Sequence, residues 1–159
     1  MSIKVLTGLI DHLKNDVVLN AFFTANYAQT PKHLLGYKKS PNANDLPMLC
    51  YVPVKSQIKN RTPSTRVIAI VVFIKDDRFL DSAGGLLDAV QVPTSETVLF
   101  SGAVFSEQAQ DLIVKSLMGL TLPDGSIIGI DFTINTDMTL GFPFFQTEIA
   151  FEVKNIFNF

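Results

Sequence analysis

One cysteine, two histidines and no tryptophan leave this 159-residue chain poor in the side chains that most often carry catalysis or hold metals. Cys50 has no second cysteine for a disulfide and no companion thiolates for a metal site. Charge is also scarce: Asp, Glu, Lys and Arg make up 18% of the residues, against roughly 25% in ordinary soluble domains. The net charge of −2 argues against sequence-independent DNA binding, which needs concentrated Lys and Arg. No apolar run approaches the roughly 18 residues of a membrane span. The pattern starting at Ile3 is broken by Asp11, His12 and Lys14, unlike the apolar core and small-residue cleavage site of a signal peptide. The expectation is an intracellular, reducing compartment.

What the chain has in quantity is apolar surface. Hydrophobic residues form 47% of it, with thirteen Phe against three Tyr. That implies extensive aromatic packing, or a surface reserved for protein contact. The length suits a single domain spanning residues 1–159.

Periodicity supplies the elements. Ile3, Leu6, Leu9, Ile10, Leu13 and Val17 fall at helical spacing and predict a helix over about residues 3–14. Asp16 can cap a short second helix through Leu19, Phe22 and Phe23. Residues 29–47, rich in Pro, Asn and Ser, read as a long loop. Met48–Val54 reads as a strand that Pro53 confines to an edge or ends. Val67–Ile74 is a continuous, mostly β-branched run suited to a central strand covered on both faces. Residues 76–94 read as a second long excursion, with a hinge at Gly84-Gly85 and at most a turn of helix near Leu86. A short strand at Thr97–Phe100 precedes a helix with Ser106 as its cap. That helix buries Ala109, Leu112, Ile113 and Leu117.

Two strongly alternating strands close the chain. Ile128, Ile130, Phe132 and Ile134 share one face of the first, and Thr147, Ile149, Phe151 and Val153 one face of the second. Pro123-Asp124-Gly125 marks the turn that feeds them. The predicted class is α+β: one domain with a mixed, mostly antiparallel sheet and helices packed on one face.

The inventory of possible chemistry is thin. His12 and His33 have no third ligand at i+3 or i+4 and no His-Glu-x-x-His pattern, so each is expected to be solvated or locally bonded. Asp76-Asp77 ends the central strand, where α/β enzymes often place magnesium carboxylates. The plainer reading is a polar turn with Arg78 as local partner and neither aspartate needed for folding. Gly84-Gly85 lacks the spacing and Lys-Ser/Thr pair of a phosphate loop. Phe100-Ser101-Gly102 lacks the first glycine of a nucleophile elbow. No catalytic residue, metal site or cofactor is expected.

The order of elements resembles the tail terminator proteins of long-tailed bacteriophages. The likeness is carried by Ile3–Leu13, Leu46–Val52, Arg66–Asp76, Ser106–Met118, and Ile127–Asn135 with Phe144–Val153. It implies a sixfold ring that caps the last ring of a tail tube and presents a surface to head-completion or neck proteins. DNA would pass through the lumen without sequence-specific contact. It further implies residence in the tail or neck of a virion, after assembly in the host cytoplasm. The family is not known for a reaction or cofactor. The residues expected to meet partners are Asp76, Asp77, Arg78, Phe79, Gly84 and Gly85 in the excursion, with Ile156, Phe157 and Phe159 after the last strand. The excursion is expected to be mobile until a neighbour orders it. A tail-tube or other neck protein is the alternative, and a small ligand-binding or enzyme domain at Asp76-Asp77 a second one.

Overall fold

The structure, a computed structural model, describes residues 3–36, 42–57, 64–81, 83–88, 98–137 and 140–155. Two helices, α1 (Ile3–Lys14) and α2 (Val17–Tyr27), precede strand β1 (Lys32–Leu35), a 3-10 turn at Ala43–Asp45, and the long strands β2 (Met48–Gln57) and β3 (Ser64–Lys75). Short strands β4 (Phe79–Leu80), β5 (Leu86–Leu87) and β6 (Leu99–Phe100) lead into α3 (Ser101–Leu117). The strands β7 (Ile127–Asp137) and β8 (Phe144–Asn155) complete the described chain. The main sheet runs β1-β2-β3-β8-β7 and is antiparallel except for the β1–β2 pair; β5-β4-β6 form a separate small sheet. The architecture is α+β, as the periodicities predict.

The β-branched run is indeed the centre. From Ile68 to Ile74 every residue is at most 3% exposed. Ile68, Ile70, Val72 and Ile74 join the helix-facing core, which also holds Val5, Leu9 and Leu13 of α1, Leu19 and Phe23 of α2, and Ala109, Ile113 and Leu117 of α3. Val71 and Phe73 point to the other face, where Leu46, Met48 and Cys50 cover them. Period-two alternation sends successive side chains to opposite faces, so only a strand apolar at both parities can sit here. Cys50 is buried and carries no disulfide.

Four local expectations change. Lys32–Leu35 lies inside the expected 29–47 loop, yet it pairs in parallel with Met48–Tyr51. Four residues between Pro31 and Gly36 are too few to show a period, and the pairing comes from β2. Because β1 covers only that first part of β2, Pro53 meets no ladder partner on the outer side, where its missing N–H costs nothing. Leu86–Leu87 is a strand rather than a turn of helix. Helix α3 begins at Ser101, not after Ser106, which is a buried mid-helix residue. The strict alternation of β7 fails at its centre: the register slips between Ile128 and Phe132, leaving Ile130 69% exposed while Ile128 is buried.

Candidate functional site

The end of β3 is a clasp. Asp76 is buried, and its Oδ1 accepts from the Arg78 backbone N–H at 3.0 Å and from Arg78 Nε at 2.9 Å. Its Oδ2 accepts from Tyr27 hydroxyl and from Arg78 Nη2, both at 3.0 Å. The same Nη2 donates to the Asn26 carbonyl at 2.9 Å, and the guanidinium lies over the rings of Tyr27 and Phe105 at 5.4 and 5.9 Å. Ser101 closes the arrangement, its backbone N–H and hydroxyl both donating to the Arg78 carbonyl. Burial opposes ionisation of Asp76, but its hydrogen bonds from Arg78, the nearby Ser101 hydroxyl and the Arg78 charge together hold the carboxyl below the usual range. Arg78 is thus the local partner expected for Asp76. The clasp also reaches much further, tying α2, β3 and the start of α3 together. Asp77, by contrast, is exposed.

Gly84 and Gly85 form a built turn between β4 and β5. Asp81 Oδ1 accepts from the N–H groups of Ala83 and Gly85, and its carbonyl from Gly84 N–H. Gly84 has φ +84°, which favours glycine. A Cβ on residue 85 would lie 2.8 Å from Asp81 Oδ2. The described part of the excursion therefore has defined local structure where the sequence suggests a hinge. Residue 82 and residues 89–94 of it, and Ile156, Phe157 and Phe159 at the other expected contact, lie outside the described residues.

Each histidine is locally bonded. His12 Nε2 lies 3.0 Å from Ser116 Oγ, which donates to Asp16 Oδ2 at 2.6 Å. Here the serine stands between the other two, so it is a strut joining α1, α3 and the α2 cap rather than a base-activated nucleophile. His33 Nδ1 lies 2.7 Å from the Tyr51 hydroxyl, with the two rings stacked at 5.8 Å. Burial, then the nearby Lys14 charge, push the imidazole down to about 4, so it is neutral near pH 7. No group of three His, Cys, Asp or Glu converges among the described residues. No described helix is long and apolar enough to cross a membrane.

The most distinctive surface is aromatic. Phe79, Phe100 and Phe142 form a triangle with centroids 5.2–5.6 Å apart, and Phe145 stands 6.3 Å from Phe100. Phe100 and Phe142 remain 48% and 49% exposed. Beside them a mostly apolar groove of about 450 Å³ runs between α3 and the paired ends of β7 and β8, with Ala103, Ser106, Gln110, Phe145 and Thr147 among its walls. Ser106 Oγ is buried there and, among the described residues, has no hydrogen-bond partner. Among the described residues of the expected contacts, only Phe79 belongs to this cluster. Phe100 and Phe142 are not among the expected contacts, although the run Phe142-Pro143-Phe144-Phe145 is an apolar signal outside any alternation.

No protein-family model matches the chain, and no curated protein matches it. Among solved structures, a chain from the virion of a native gene transfer agent (GTA) particle is similar over 92% of this chain and 90% of its own length. The two share 12% identity at a TM-score of 0.48.

Proposed function

We propose that the chain is a structural protein of a phage-like virion, and more narrowly a tail terminator that closes into a ring. The ring would cap the tail tube and join it to head-completion proteins. It would reside in the tail or neck, after assembly in the host cytoplasm. The observation that carries this reading is the half-exposed Phe79–Phe100–Phe142 triangle beside an apolar groove. Solvent contact over so much aromatic surface is unfavourable unless a protein partner covers it. The outer edge of β7 supports the same reading. Segment 119–121 bonds its first residues, and Ile130 and Ile134 beyond them are exposed at 69% and 42%. A heterologous contact between such a patch and a different surface of the next copy closes into a ring or grows into a filament.

No reaction, metal or cofactor is part of this proposal. The reading of a ligand site at Asp76-Asp77 is disfavoured because both Asp76 oxygens already accept hydrogen bonds from Tyr27 and Arg78.

Light scattering after size exclusion, with electron microscopy of the purified chain alone and mixed with tail tubes, tests the assignment. The expected result is a ring, or a subunit of 17.5 kDa that forms rings at tube ends. Unlimited filaments would instead support the tube-protein alternative. A monomer indifferent to tubes would overturn both.

A further inference from the structure

We propose that the aromatic groove is the receptor for the segment Ile156-Phe157-Asn158-Phe159 of a second copy of this chain. The inference deepens the ring reading and rests on it for closure, though not for the docking itself.

Three observations select this occupant. The first is reach. The groove is walled by the start of β8, and Thr147, its furthest wall residue along that strand, lies eight positions before Asn155. Eight strand residues span roughly 26 Å, whereas four extended residues span at most roughly 14 Å. Residues 156–159 therefore fall short of the groove on their own subunit. Asn155, from which they lead, lies at the opposite end of β8 from the groove, which is the placement a head-to-tail contact requires.

The second is chemistry. Three large apolar side chains follow β8 with one amide among them, Asn158. The groove offers Phe100, Phe142 and Phe145 and one buried hydroxyl, Ser106 Oγ, without a described partner. An unpaired buried hydroxyl is costly, and turning the Ser106 side chain about χ1 towards the groove would let an incoming amide relieve it. Aromatic rings on both sides supply the apolar remainder.

The third is charge. Lys154 is exposed just before the segment, and Glu107 is exposed on the groove wall. Opposite signs there favour one direction of entry.

The test uses a fluorescein-labelled synthetic peptide, Lys-Asn-Ile-Phe-Asn-Phe, corresponding to residues 154–159. The receptor is the full chain carrying Phe157→Asp and Phe159→Asp, so that its own segment cannot compete. Saturable binding is expected. Adding Ala103→Arg to the receptor should weaken it at least tenfold, and Ala103 is exposed on α3, so the variant should fold; circular dichroism verifies this. Ser106→Ala in the receptor and Asn158→Ala in the peptide should each weaken binding a few-fold, with no further loss when combined. Binding that ignores Ala103→Arg, or no saturable binding, overturns the proposal.

Light scattering on the wild-type chain, on Ala103→Arg and on Phe157→Asp/Phe159→Asp separates this from the ring reading. Rings that persist in both variants, with no peptide binding, would discard the docking and keep the ring. Peptide binding by a chain that stays monomeric and ignores tail tubes would keep the docking and discard the ring.

Discussion

Gly102 lies directly against the ring of Phe145. A Cβ at residue 102 would stand 2.9 Å from the ring Cζ and closer still to two other ring carbons. The first turn of α3 can thus approach β8 only because residue 102 has no side chain, and the Phe145 ring seated there is part of the groove wall. Glycine inside a helix normally costs about 1 kcal/mol relative to alanine, so its presence here needs a packing reason. Gly102→Ala should destabilise the fold by about 1–3 kcal/mol through overpacking, against the gain that helix propensity alone would give. Urea denaturation decides the sign. A more stable variant would mean the Phe145 ring yields freely.

The Asp76–Arg78 clasp argues against the expectation that Asp76 is not needed for folding. The Asp76 side chain is inaccessible, and the Arg78 side chain is 29% exposed. Asp76→Asn keeps the volume but removes the charge that Arg78 and Tyr27 surround. It should cost about 2–4 kcal/mol in chemical denaturation. Asp77→Asn, on an exposed neighbour, should change stability by less than about 0.5 kcal/mol. Asp76 has a lowered folded pKa, so its contribution is fully present above the unfolded value of 3.8 and lost as pH falls through the folded one. The difference between wild type and Asp76→Asn should therefore shrink only in strong acid.

His33 should respond in a different pH window. Its folded value of about 4 lies below the ordinary 6.5. Between those values the unfolded chain binds the extra proton, so stability is intact above 6.5 and declines as pH falls towards 4. The ring is only partly buried, and solvent screening limits the loss to on the order of 1–2 kcal/mol. Thermal melts from pH 7 to pH 4 should show this slope in the wild type. His33→Phe should flatten it. An unchanged slope would assign the effect to other groups.

Ser116 is the joint of the helix layer, bonded to His12 and Asp16. Asp16 also caps α2, its Oδ1 accepting from Leu19 N–H at 3.0 Å. Ser116→Ala should cost about 1–2 kcal/mol, and Asp16→Ala about 0.5–2 kcal/mol through the lost cap. The two losses should be less than additive, because both remove the same Ser116–Asp16 bond. A double-mutant cycle measures that coupling.

Much of this protein is determined by sequence alone. Helices α1 and α2, the Asp16 cap, the central Val67–Ile74 strand and the closing alternating strands follow from periods of 3.6 and 2 over stretches long enough to register. The α+β class follows from their order. Tertiary structure decided the features with no local period. Lys32–Leu35 is a strand because β2 offers it a ladder. Ile130 is exposed because two extra residues enter β7 between its paired positions. Helix α3 starts six residues early because Gly102 fits beneath Phe145. The aromatic groove depends on the same cause: Phe79, Phe100, Phe142 and Phe145 are scattered along the chain and become neighbours only when the small sheet, α3 and the β7–β8 end meet. Sequence patterns report which face of one element is apolar. Which faces then remain uncovered is set by how elements distant in the chain pack, and that information is non-local.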